Sequence, residues 1–207
     1  MPKLLYQGHG SYRLTANDGR IIYVDPFAGK GYDLPADLIL VTHQHRDHNK
    51  IGLCTQKESC RIITNKEALA DGKHNHFDVG GIPIQAVEAR GFIHSPKKCV
   101  GYIICIDGVK IYASGDTSRT SQMDTFAGME LDYAIFPGTG IITMGLKEAA
   151  ECARLIGAKH NTIIHLRPGA LFDRKKADRW EAPNKLLIEP GQEIDLYLPS
   201  LYHNSYQ

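Results

Sequence analysis

Within six positions of the stretch VTHQHRDHNK (41–50), His43, His45, Asp47 and His48 bring together three imidazoles and a carboxylate. Imidazole nitrogen and carboxylate oxygen are the donors that zinc and manganese sites use. The preceding run LILVTH (38–43) reads as a strand that gives way to a loop at Gln44. Residues two apart at a strand end point to the same side, so His43 and His45 can converge on one ion. The chain must then turn, and Asp47 and His48 can face a second point nearby.

One loop cannot close two coordination spheres. Three further candidates sit where a strand gives way to a loop: His94 after IPIQAVEARGFI, Asp116 at the end of VKIYASGD, and His165 at the end of NTIIH. Such positions gather at one rim of a sheet sandwich, where loops hold a site on a rigid base. The chemistry expected of paired divalent ions is hydrolysis. They bring a bridging water towards neutrality in pKa, polarise a carbonyl or phosphoryl oxygen, and offset the charge that develops on attack. His43, His45, Asp47 and His48 are the candidate catalytic group, with Asp47 a possible proton acceptor or relay. No GxSxG pattern points to a serine nucleophile. Lys97, Lys98 and Arg167 lie beside two of the candidate ligands and are candidates for attracting an anionic small-molecule substrate. His74 and His76 repeat an HxH spacing without a following acid and read as a surface loop; His160 and His203 read as incidental.

The elements that must position these residues are mostly strands. Runs at 21–27, 38–43, 61–65, 82–89, 100–106, 109–116, 132–138 and 161–165 are β-rich, and 186–198 reads as a closing strand pair. Asp107-Gly108 is the two-residue turn that suits the twist of a hairpin. Leu146, Ala149, Ala150 and Ala153 recur at helical spacing, with Thr143 as candidate N-cap and Gly157 as stop. A second helix is predicted over Lys66–Asp71. Many strands and few helices predict stacked sheets with helices outside.

The chain has 207 residues and 43% hydrophobic content, enough for one domain over 1–207. With 24 basic and 23 acidic residues, its formal charge of +1 provides no global field for nucleic acid or membrane. Arg174-Lys175-Lys176 reads as a solvated cluster. Five scattered cysteines without a CxxC indicate neither a disulfide framework nor a cysteine zinc knuckle. No apolar run long enough for a signal peptide or a membrane span is present, and a reducing, cytoplasmic setting is expected. Oligomeric state is left open.

THQHRDH, His94, GDT at 115–117 and a strand-end His165, in this order, closely resemble the metallo-β-lactamase superfamily over nearly the whole chain. YVDPF adds Asp25, which by this resemblance braces the metal loop. GHGSYRL, the hairpin VGYIICIDGVKIYASGDT and ITMGLKEAAECA resemble a branch of small hydrolases similar to L-ascorbate-6-phosphate lactonase. The resemblance implies an α/β fold, a four-layer αβ/βα sandwich of two mixed sheets flanked by helices. It also implies two divalent ions, zinc first, with manganese or iron accepted. His43, His45 and His94 would hold one ion, Asp47, His48 and His165 the other, and Asp116 would bridge. His9 would sit near the pocket floor, as a substrate contact or in a structural role. The implied activity is cleavage of an ester, lactone or phosphodiester. The alternatives are a non-catalytic metal-dependent binding or sensing protein, or a nuclease of the same fold. His45 stands where flavin-linked di-iron relatives carry glutamate. The segments HLRPGALFD and GTGIIT depart from the branch's usual pattern and would border the pocket.

Overall fold

Alternation of apolar side chains builds two sheets that share a core. The computed structural model describes residues 1–197. One sheet contains β1 (Lys3–Gly8), β2 (Ser11–Thr15), β3 (Ile21–Val24), β4 (Ala36–Leu40), β5 (Gln56–Ile63) and β12 (Glu193–Asp195), in the order β12-β1-β2-β3-β4-β5. The other contains β6 (His76–Asp78), β7 (Pro83–Glu88), β8 (Val100–Ile106), β9 (Val109–Ala113), β10 (Tyr133–Pro137) and β11 (His160–Ile164), in the order β11-β10-β9-β8-β7-β6. Both are mixed. β3–β4–β5 pair in parallel in the first and β9–β10–β11 in the second, while the remaining neighbours are antiparallel.

The period-two pattern sorts side chains between layers. Ile22 and Val24 of β3, and Leu38 and Leu40 of β4, face Val100, Tyr102 and Ile104 of β8 and Ile111 of β9 in the inter-sheet core. The alternate residues Ile21, Tyr23 and Ile39 pack on the opposite face with Val41 and Cys54. In the second sheet Tyr112, Ala134 and Phe136 turn away from the shared core and bury α2 (Leu146–Ile156) through Ala149, Ala150 and Ala153. The sheets are also joined by a polar contact, since the Tyr102 hydroxyl donates to Val41 O at 3.0 Å. Stacked sheets with helices outside is the arrangement the residue pattern predicts, and two mixed sheets is what the family resemblance implies.

The elements differ from expectation at their edges. Helix α2 stops at Gly157, in the left-handed region at φ 69°, as predicted. Its N-cap, however, is Gly145, not Thr143, whose hydroxyl pairs instead with that of Thr139 at 2.7 Å. The predicted Lys66–Asp71 helix is shorter: α1 (Asn65–Ala68) starts at a capping box of Thr64 and Glu67, and Asp71 at φ 58° leaves helical geometry. The closing pair over 186–198 is a single short strand, β12, against β1, while Lys185 makes only an isolated bridge to Asn161. Residue 198 and His203 lie outside the described residues. Asp107-Gly108 forms the expected hairpin turn, both residues at positive φ. The basic cluster lies on α3 (Arg174–Asp178), and Lys176 is not solvated as predicted: its Nζ donates to Thr139 O and Leu166 O, tying together the loops after β10 and β11. His76 lies on the edge strand β6 instead of in a loop, and His160 stacks on Tyr133 with ring centroids 4.8 Å apart. Among the described residues, no helix is long and apolar enough to cross a membrane.

Candidate metal centre

Every sequence-predicted ligand follows the C-terminal end of a strand. His43, His45, Asp47 and His48 follow β4, His94 follows β7, Asp116 follows β9 and His165 follows β11. Stacking the two sheets brings these ends to one rim. The ligand atoms of His43, His45 and His94 lie within 4.8 Å of one another, as do those of His9, Asp47, His48 and His165. Asp116 stands between the groups. Its Oδ2 is 3.4 Å from His94 Nε2, and its Oδ1 is 3.5 Å from His48 Nε2 and 3.4 Å from His165 Nδ1. All seven expected residues come together, and His9, from the turn between β1 and β2, joins them.

Hydrogen bonds behind the rings decide which nitrogen faces the site. His48 Nδ1 is 2.9 Å from Asp25 Oδ2. Thr42 donates its backbone N–H to Asp25 Oδ1 at 2.7 Å and its hydroxyl to Oδ2 at 2.6 Å. With its proton committed there, Thr42 Oγ1 accepts from His43 Nδ1 at 3.0 Å. His94 Nδ1 donates to Ile142 O at 3.2 Å. Each acceptor fixes the Nδ1–H tautomer and leaves Nε2 directed inward, the arrangement by which outer partners orient metal-binding histidines. Asp25 thus takes the bracing position expected of it, with its own backbone in the left-handed region at φ 47°. The sequence offered no signal for Thr42, for Ile142 or for Ala170, whose carbonyl lies 2.9 Å from His9 Nδ1. Their contributions are a hydroxyl and two carbonyls, defined only by the fold.

The donor set fits a cation. Nε2 of His48 and His94, both ring nitrogens of His165 and Oδ1 of Asp116 are buried without a hydrogen-bond partner. Lone pairs converging in a buried volume repel one another and are costly unless a positive charge lies among them. Electrostatics prepare the ligands in the same sense. Burial, and next the charge of His48, pushes His43 down to about 2. Burial likewise lowers His94 and His165. For Asp116 burial works upward, but His48 and His165 outweigh it and hold the carboxyl low. The rings of His165 and then His9 beside Asp47 hold its carboxyl well below the usual carboxylate range. His48 is the exception: burial works downward, yet the carboxylates of Asp116 and Asp25 raise it well above its ordinary value. Neutral imidazoles and ionised carboxylates are the forms a cation needs, and loading His48 would displace a proton.

A cleft of about 480 Å³ opens beside His43 and His45, with Asn65, Ile93, Lys98 and Cys99 in its wall. Lys97 and Arg167 are exposed and do not line it. His9 is fully buried beneath Asp47, whose side chain remains one-third exposed.

Two stacked mixed sheets with a histidine–aspartate centre on one rim define the class. A profile of the beta-lactamase superfamily domain matches residues 3–164, and the chain belongs to the metallo-β-lactamase superfamily. It is similar to a UPF0173 metal-dependent hydrolase of Methanoculleus marisnigri, 27% identical over 94% of this chain and 96% of that protein. Among solved structures it is similar to one described as a metal-dependent hydrolase from Parabacteroides distasonis, with TM-score 0.71 and 27% identity over 90% of this chain and 92% of that one. The fold is also shared with Igni18, a metallo hydrolase of Ignicoccus hospitalis, at TM-score 0.71 and 19% identity over 93% and 97% of the two chains.

Proposed function

We propose that this protein is a metal-dependent hydrolase that holds two divalent ions and cleaves an ester, lactone or phosphodiester bond in a small molecule. The observation that carries the reading is the convergence of buried, unpartnered ligand atoms from four strand ends around Asp116. His43, His45 and His94 would hold one ion, Asp47, His48 and His165 the other, with Asp116 shared. Zinc suits this mixed set, and manganese or iron is accepted by similar ligands. Bound there, divalent ions supply Lewis-acid polarisation and a water activated at neutral pH.

The chain's own residues do the rest. Asp25 and Thr42 hold the His43–His48 loop in one tautomeric arrangement. Asp47, held well below the usual carboxylate range beside His165 and His9, is an ionised carboxylate at the open side of the centre. Lys98 in the cleft wall is the group we assign to an anionic substituent, in preference to Lys97 and Arg167, and Ile93 offers an apolar contact. A lactonase-like substrate is one member of this class, consistent with the resemblance of GHGSYRL and the β8–β9 hairpin.

The test is elemental analysis paired with a hydrolysis panel of lactones, bis-p-nitrophenyl phosphate and thioesters under added Zn²⁺ or Mn²⁺. Close to two ions per chain and turnover of one substrate class are expected, and Asp116→Ala should lose most of the metal. Metal content indifferent to Asp116→Ala would overturn the shared-ligand assignment. Full metallation without turnover of any substrate would favour a binding or sensing protein.

A further inference from the structure

His9 is wired like the ligands. Its Nδ1 lies 2.9 Å from Ala170 O, which can only accept, so Nδ1 carries the proton. The same logic fixes His94 through Ile142 O and His48 through Asp25. In a neutral ring with that tautomer, Nε2 is a lone pair. It lies 3.1 Å from Asp47 Oδ2, itself an acceptor, and His9 offers a ring nitrogen within 4.8 Å of ligand atoms of Asp47, His48 and His165. The opposite tautomer only moves the conflict, setting a bare Nδ1 against the Ala170 carbonyl. One neutral imidazole cannot satisfy two acceptors, so a second ring proton or a shared cation must lie between Nε2 and Oδ2, and the convergence of His48 and His165 on the same point favours the cation.

The backbone supports this placement. His9 occupies the left-handed region at φ 57°, unusual for a non-glycine residue. It is held there from three directions: its N–H donates to Leu171 O at 2.6 Å, and its carbonyl accepts from His165 N at 2.8 Å and from the Tyr6 hydroxyl at 2.9 Å. The His9 and His165 backbones are therefore directly joined, and His165 is at positive φ as well. Gly10 completes the arrangement, because a Cβ there would stand 2.8 Å from His48 Cε1.

We propose that His9 Nε2 is a ligand of the ion held by Asp47, His48 and His165, which makes the β1–β2 turn a fifth contributor to the centre. The inference rests on the two-ion reading above. It also replaces the substrate contact expected of His9 in the sequence, since a coordinated nitrogen is not free to bind substrate.

The test reads ring nitrogens directly. Wild-type protein labelled with ¹⁵N-histidine is titrated with Zn²⁺ and followed by long-range ¹H–¹⁵N correlation, with His9 assigned through His9→Asn, a residue that tolerates the left-handed backbone. The expected result is that His9 Nε2 moves to a metal-bound shift in step with His48 and His165 while Nδ1 keeps its proton. Zinc titration of His9→Asn should show affinity for one of the two ions weakened by about 10-fold or more. Should the other histidines shift while His9 stays unmoved, or carries protons on both nitrogens, His9 is not a ligand and the two-ion reading stands. If no histidine shifts at saturating Zn²⁺, the metal-centre reading fails and this inference with it.

Discussion

His48 and Asp25 show how much of this centre is decided one hydrogen bond behind the ligands. Asp25 accepts from the His48 ring, the Thr42 hydroxyl and the Thr42 backbone N–H. Replacing it with Asn substitutes an amide N–H for one acceptor and leaves the His48 tautomer unset. Asp25→Asn is expected to weaken metal binding by about 10–100-fold, measured by competition with a chromophoric chelator. Unchanged affinity would mean that Asp25 does not orient the loop. His43 makes a separate pH prediction. Its value falls from 6.5 to about 2 on folding, chiefly through burial. As pH drops below the unfolded value, the unfolded chain gains a proton that the folded chain refuses. The His43 share of stability is therefore complete above about 6.5 and is lost progressively towards 2. Denaturant midpoints of the metal-free protein should fall between about pH 7.5 and 5.5, and His43→Gln should fall less. Equal slopes would contradict a buried neutral His43.

At the scale of elements, the centre depends on close approach between the β1–β2 turn and the loop after β4. Gly10→Ala places a methyl 2.8 Å from His48 Cε1, and His48 is pinned on its other side by Asp25. With no room to yield, the expected cost is about 1–3 kcal/mol of stability together with loss of bound metal, read by denaturation and elemental analysis. A variant that keeps full metal content would show the turn to be looser than this packing. The strands that bear the ligands were largely legible in the sequence. The unbroken apolar runs IIYV and LILV are the direct imprint of strands buried on both faces, and NTIIH reads as an apolar run ending at a candidate ligand. β1, β2, β6 and α3 were not read, because Lys3–Gly8 and Ser11–Thr15 mix polar and apolar side chains on buried strands. The Thr143 cap failed for a related reason: its hydroxyl found Thr139, a partner that exists only once the loop after β10 has closed.

For the whole molecule, the two sheets are held mainly by a shared apolar core, with the candidate metal centre at its rim. Ions that bind the folded chain and not the unfolded one add stability by mass action, about 2.7 kcal/mol for each site at a free concentration 100-fold above its dissociation constant. Removal of metal with a chelator should therefore lower Tm, and Zn²⁺ should restore it. The shift should be much smaller in Asp116→Ala, where both ligand groups lose their shared carboxylate. Chelation without effect on wild-type Tm would argue against ions that couple the two sheets.

The sequence alone determined the types of the candidate ligands, their order and the strand ends that carry them, since HxHxDH and the positions of His94, Asp116 and His165 are local facts of the chain. Tertiary structure decided what no spacing encodes. It directed the nitrogens inward through Asp25, Thr42 and the Ile142 carbonyl, turned Lys176 from solvent to two loop carbonyls, and brought His9 beneath Asp47. The physical reason is distance along the chain. A hydrogen bond between residues 161 positions apart, such as His9 to Ala170, leaves no periodicity to read and exists only when both sheets are in place.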